Sequence, residues 1–363
     1  MSEPRELNKI DFGGDVFSLL KSALWSQPLV HDNFALYTEQ DWEHLFSMVQ
    51  RQGLTAIILD ALEKLPVEFR PEKTLLRQWR VKSISSELRW QKQLLTAAKT
   101  AEVFKQHGIR TLLLKGLGIS LLYPFPKHRE CGDIDIYLFG QYEEGNKLAS
   151  EVLKAKVNKF SKKEDHLVIN GFAIDNHINF MWIGNKQDQA FNQYLKDLLD
   201  RTQMENFPGT SLLLPPAEFN YLFMLKHSYE HFMREGMPLR QLTDLACLLS
   251  KQQHLLDWDS VNKTLHDAGM LKFSYAIRSF ISKNLGVGES SFNIEEKLLR
   301  RIQDDILANG HQVVYKNSWV GHKKYIIKTL WENRWKINAF FEGGVKTYIL
   351  KKLTDNFTKT LKS

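Results

Sequence analysis

Between residues 109 and 180 the chain changes its hydrophobic period, and no other feature limits its fold as much. Before this window apolar residues recur at helical spacing, as Val16, Leu19, Leu20 and Leu24, then Trp42, Leu45, Met48 and Val49 ahead of Gly53. A long polar-apolar stretch from Ser85 to His107 ends at Gly108, the position where a glycine closes a helix. Inside the window the pattern is that of strands. Ile109 to Leu114 is a short apolar run closed by Lys115-Gly116, and Asp133 to Phe139 alternates polar with apolar residues. His166 to Ile169, Asn170-Gly171 and Phe172 to Phe180 give a hairpin signal, because Asn-Gly supplies the two positive-φ positions of a type I′ turn. Past Pro215-Pro216 the helical period returns, over Glu218 to Met233 and Leu239 to Lys251. The expected class is α+β, a small mixed sheet between about 85 and 200 with helical regions on both flanks. The expected divisions are 1–84, an N-terminal helical region set off by the break Leu65 to Pro71, then 85–205, the sheet-bearing core, and 206–363, helical with a basic tail.

The tail is where the charge lies. The 363 residues carry 49 Lys and Arg against 42 Asp and Glu, a formal +7, and residues 311–363 alone hold 11 basic against 3 acidic side chains. The body of the chain is therefore close to neutral, which disfavours a domain-wide basic surface for wrapping duplex nucleic acid. Within the tail, Tyr315, Trp319, Tyr325, Trp331, Trp335, Phe340 and Phe341 are interleaved with Lys323, Lys324, Lys328, Arg334 and Lys336. Three readings fit this pattern: an RNA-contacting arm, an amphipathic helix at a membrane surface, or a helix whose rings pack on a core with lysines in water. The third is the commonest use of such a pattern. A hydrophobic fraction of 43% with 25% charged residues excludes disordered and fibrous classes. No stretch approaches the roughly 18 uncharged apolar residues of a membrane span, and the first residues lack an apolar signal core. Cys131 and Cys247 sit in no metal-binding or disulfide spacing, so a reducing cytoplasm is the expected setting.

The chemistry is expected in the window. In a strand, residues two apart face the same way, so Asp133 and Asp135 are expected to project together while Ile134 and Ile136 point into a core. Two carboxylates on one edge repel unless a cation sits between them, and oxygen ligands favour Mg2+ or Mn2+. The hairpin places Asp175, His177 and Asn179 on one face, which makes Asp175 the natural third carboxylate. Upstream, Lys115-Gly116 ends a strand and Arg129 stands three residues before Gly132. A strand-glycine-helix turn directs backbone N–H groups toward an anion, and Lys115 and Arg129 add full charges for a polyphosphate.

The string Leu113-Leu-Lys-Gly116, Tyr123-Pro124, Arg129-x-x-Gly-Asp-Ile-Asp135, with the later Leu239-Arg-Gln-Leu-Thr-Asp-Leu245, resembles the uncharacterised nucleotidyltransferase family of bacterial proteins within the DNA-polymerase-β-like superfamily. The resemblance covers roughly residues 40–250. It implies a mixed-sheet nucleotidyltransferase core and transfer of a nucleoside monophosphate from an NTP, with ATP the first candidate, to an acceptor of unstated identity. It also implies that Asp133 and Asp135 hold two magnesium ions that bridge the triphosphate, and that Asp175 helps hold the second ion and serves as general base. The chain departs from the superfamily pattern at one place: Lys115-Gly116 stands where Gly-Ser is usual, so a serine contact to the β- and γ-phosphates is replaced by Lys115 or Ser120. That departure motivates an alternative, a catalytically inactive binding or antitoxin-like partner that keeps the fold. Under the same resemblance Arg240 either faces the nucleotide or pairs with Asp244 along one helix. His177 would touch the acceptor or orient Asp175, against the plainer reading of a structural histidine.

Overall fold

Capped amphipathic segments build the layer ahead of the sheet. Helix α1, Phe12–Trp25, opens on Asp11, whose side chain accepts from the Gly14 N–H, and buries Val16, Leu19, Leu20 and Leu24. Thr38 and Asp41 form a reciprocal capping box at the start of α2, Glu39–Gln52, which ends on Gly53 in the left-handed region. Helix α3, Thr55–Leu62, follows, and α4 runs without a break over Lys73–Gln106. These positions come from a computed structural model that describes residues 11–29, 33–234, 236–288, 292–309, 331–341 and 343–348. The 34-residue α4 crosses the expected division at 84 and 85 and joins two cores. Its first turns bury Leu75, Leu76 and Trp79 with α1, α2 and α3, and its last turns bury Ala97, Ala101 and Phe104 beneath the sheet.

The class is α+β. Six strands lie in the order β3-β4-β5-β2-β1-β6: β1 Thr111–Leu114, β2 Ile134–Tyr137, β3 Lys156–Lys159, β4 Glu164–Ile169, β5 Phe172–His177 and β6 Leu212–Leu213. The sheet is mixed, with β2 parallel to β5, β1 parallel to β6, and the remaining neighbours antiparallel. The β4–β5 turn has Asn170 at φ 52° and Gly171 at φ 79°, as an Asn-Gly hairpin requires. Helix α5, Gly116–Ser120, follows β1, while α6, Tyr142–Val152, follows β2. After α7, Lys186–Arg201, come α8, Ala217–Arg234, and α9, Leu239–Gln252, which close over the sheet. The core that begins at α1 continues through α8, α9, α10, Trp258–Asp267, and α11, Leu271–Leu285, with the rings of Phe17 and Phe280 in edge contact at 5.6 Å. Among the described residues no helix is long and apolar enough to cross a membrane.

Most of the basic aromatic segment, including Tyr315, Trp319, Lys323, Lys324, Tyr325 and Lys328, lies outside the described residues. The part that is described packs. Lys336 is buried, with Nζ 2.7 Å from Asp305 Oδ1 and donating to the Phe232 carbonyl at 2.9 Å, while Ile337 and Phe340 join the main core.

Candidate active site

Two parallel strands bring the site together. Asp135 on β2 lies in register with Asp175 on β5, and Tyr137 with His177, so the two carboxylates stand side by side on neighbouring strands. Ile134, Ile136 and Ile174 point the other way and are 1%, 1% and 0% exposed, the alternation of successive side chains along a strand. Asp135 Oδ1 receives Lys115 Nζ at 2.7 Å and lies 2.9 Å from His177 Nε2. Burial works against charge on Asp135, but Lys115 and His177 outweigh it and hold the carboxyl well below the usual carboxylate range. Asp175 Oδ1 lies 2.6 Å from His166 Nδ1, which must be the donor because an ionised carboxylate only accepts. Burial, then Asp135 and Glu164, push the Asp175 carboxyl upward against the opposing pull of His166.

Asp133 lies just outside the strand that carries Asp135. It sits in the bend before β2 and is exposed, because the strand begins one residue later, at Ile134. The backbone there is pinned from behind: Gln93 Nε2 donates to the Gly132 carbonyl at 2.5 Å, and Arg89 Nη2 at 3.1 Å. Asp133, two residues from Asp135 and exposed, therefore stands at the rim of the site.

Lys115 sits at φ 45°, ψ −139°, between β1 and α5. A side chain in so sparsely populated a region costs on the order of 1–3 kcal/mol, held here by the structure around it. The lysine ammonium lies 5.7 Å from the Phe223 ring centroid on α8, and Asp135, Glu164 and Asp175 overcome its burial to keep it charged. Gly116 starts α5 with room for a Cβ, whereas a Cβ on Gly118 would come within 3.0 Å of the Leu113 carbonyl oxygen. Gly118 is the glycine that the close turn needs. Ser120 is fully buried, donating to the Leu117 carbonyl at 2.6 Å and accepting from Trp90 Nε1 at 3.1 Å.

The remaining motif cations form a clamp behind the carboxylates. Arg129 is buried and makes a two-pronged pair with Asp244 on α9, Nε to Oδ1 at 3.0 Å and Nη2 to Oδ2 at 2.5 Å. Tyr123 donates its hydroxyl to the same Asp244 at 2.6 Å. Asp244 is thus the partner of Arg129 and not of Arg240. Arg240 Nη1 donates to the Glu130 carbonyl at 2.9 Å, and its guanidinium fills the space beside Gly53, where a Cβ would lie 2.8 Å away. Glu130 in turn accepts from the Thr55 N–H at 2.8 Å. Tyr123 and Arg129, neighbours in sequence, meet at the carboxylate of Asp244, which lies 121 and 115 residues further on. For Arg129 to face a phosphate, it would have to release Asp244.

Three site elements lie outside the motif string. Glu164 faces His177 across the hairpin and its Oε2 lies 3.4 Å from His177 Nε2, with Lys163 Nζ 2.7 Å away. Extending the hairpin reading two residues back from His166 would have found it by alternation alone. Phe223 stands edge-on to His177, ring centroids 6.3 Å apart, and one turn later burial, then Lys115, push the His227 imidazole well below its ordinary value. No local sequence signal marks α8 as a wall of the site.

An oxygen-ligated cation can be tested against this donor set. Among the described residues, no three His, Cys, Asp or Glu side chains form a metal-holding group. Magnesium does not require such a cage, since it keeps several waters and binds through one or two carboxylates plus substrate phosphates. Asp135 and Asp175 each use one oxygen on a cation or imidazole and leave the second without a hydrogen bond among the described residues. The pair therefore fits such an ion, with Asp133 at the rim.

The model of a family described as "Uncharacterised nucleotidyltransferase" matches residues 38–286 of this chain. No curated protein matches it. Among solved structures, an antigenic nucleotidyltransferase-like protein from Paracoccidioides brasiliensis is similar at 12% identity, over 56% of this chain and 92% of that one, with a TM-score of 0.32.

Proposed function

Because the chain belongs to the uncharacterised nucleotidyltransferase family, we propose that it transfers a nucleoside monophosphate from an NTP to a hydroxyl acceptor at the paired carboxylates of β2 and β5. The observation that carries the reading is the register of Asp135 with Asp175 on parallel neighbours, each with one oxygen to spare. A magnesium or manganese ion held by Asp135 and Asp175, with Asp133 at the rim, would neutralise charge on the triphosphate and on the attacking and leaving oxygens. Asp175 takes the acceptor proton in this reading, since a carboxyl raised by burial and by Asp135 and Glu164 is the stronger base. His166 fixes the orientation of that carboxylate from β4. His177 does the same for Asp135, with its other ring nitrogen toward the Asn179 carbonyl. Arg129 and Arg240 hold the Glu130–Gly132 loop in place rather than the nucleotide. Purified protein with magnesium and each labelled NTP is expected to transfer label or release pyrophosphate, and Asp135→Ala to abolish both. Full activity in that variant would sink the assignment.

One arrangement favours a second reading, a binding module that keeps the fold without turnover. Lys115 and Arg129, the cations nearest the motif glycines, are already engaged by Asp135 and Asp244. Calorimetry with Mg·ATP separates the two, because absence of binding at millimolar nucleotide favours the module.

A further inference from the structure

Lys115 stands among carboxylates where an ion would otherwise be needed. Its ammonium lies 2.7 Å from Asp135 Oδ1, and Glu164 and Asp175 are the next negative charges acting on it. Phe223 covers it from α8, with the ring centroid 5.7 Å from Nζ. The backbone that carries it is held at positive φ, a conformation that glycine would adopt without strain. Charge matching gives the arrangement its meaning. Asp135, Glu164 and Asp175 converge as three carboxylates, and Lys115 and Lys163 meet two of them at 2.7 Å each. What remains is one carboxylate without a lysine, Asp175, with one oxygen unused on it and one on Asp135, which is less negative charge than two divalent ions would meet in an open cluster.

We propose that Lys115 is a tethered cation that fills one cation position of this cluster, so that the chain takes one divalent ion where the resemblance implies two. The inference rests on the nucleotidyltransferase reading of the site. It makes Lys115 a positioning residue: it holds Asp135 Oδ1 and leaves Oδ2 turned to the single ion. Removing the ammonium vacates a carboxylate-lined position that a second divalent ion enters.

Counting bound Mn2+ by electron paramagnetic resonance of the free ion, on the full chain, tests this without any turnover. Wild type is expected to bind one Mn2+ per chain, and Lys115→Arg likewise. Lys115→Met is expected to bind two, or to bind its first at least tenfold more tightly. Thermal melting followed by circular dichroism establishes that each variant is folded. Should Lys115→Met fail to fold, the wild-type count still decides, since two ions in wild type overturn the proposal. One ion of equal affinity in wild type and Lys115→Met overturns it while leaving the one-metal reading of the site intact. No bound Mn2+ in either overturns both.

Discussion

Asp244→Asn is the perturbation that most directly separates a structural clamp from a phosphate ligand. The substitution keeps shape and removes charge, leaving the Arg129 guanidinium buried without its partner. Breaking one side of a buried ion pair costs about 3–5 kcal/mol, mostly because the survivor stays desolvated. With an unfolding entropy of about 2.1 cal/mol/K per residue over 363 residues, that loss lowers Tm by roughly 4–7 °C. Tyr123→Phe, which removes only the hydroxyl donor to Asp244, is expected to cost about 1.5–3 kcal/mol. In the double variant Arg129→Met with Asp244→Leu both charges leave together, so much of the loss should return. Differential scanning calorimetry on wild type, Asp244→Asn, Tyr123→Phe, Arg129→Met and the double variant measures the clamp, and Mg·ATP titrations alongside measure nucleotide binding. The reasoning is refuted if Asp244→Asn melts within about 1 °C of wild type, or if Arg129→Met melts like wild type yet loses nucleotide, which would put Arg129 on the phosphates.

Three further outcomes follow from the geometry. Asp175→Asn is expected to lower kcat by about 10²–10⁴ in a transfer assay, as loss of a general base does. Gly145→Ala places a Cβ 2.1 Å from Leu138 Cδ1 at the contact of α6 with the sheet, and calorimetry should read about 1–3 kcal/mol of overpacking. Burial, then Lys115 and His231, hold the folded His227 well below its ordinary value, so as pH falls the unfolded chain takes the proton first. Stability from this group is complete above about pH 6.5 and declines below it, and His227→Gln should flatten melting curves collected across that range.

What the sequence made legible was set by period and by turn chemistry. One face of β2 and β5 meets the apolar core and the other the carboxylate site, so Ile134, Ile136 and Ile174 alternate with Asp135 and Asp175, and Asn170-Gly171 fixes the hairpin between β4 and β5. β3 escaped notice because Lys156–Lys159 runs along the sheet edge with no buried residue, and β6 is too short to carry a pattern. Alternation sets Asp135 on β2 and Asp175 on β5, and the two strands bring them into register. Asp133 lies one residue ahead of β2, in a bend that alternation does not describe, beside a Gly132 carbonyl that accepts from Arg89 and Gln93 of α4. Arg129 and Arg240 have charges that suit phosphates, and only the tertiary approach of α9 turns Asp244 toward Arg129. Glu164 lies within reach of the hairpin alternation, whereas Phe223 and His227 reach the site from α8, and helical spacing within one element says nothing of that approach.

Helix α4 carries a consequence for how such a chain can be inherited. At 1.5 Å per residue its 34 residues run about 51 Å, and one rod serves two cores, with Trp79 donating to the Thr55 carbonyl at 2.8 Å near its start and Phe104 fully buried near its end. A recombination breakpoint anywhere within Lys73–Gln106 would strand half of each apolar face. The sheet with its carboxylates is therefore not a cassette that shuffling can lift free of the helices before it. Variation of the site would have to come from changes around its rim, with the N-terminal helices carried along as fixed ancestry.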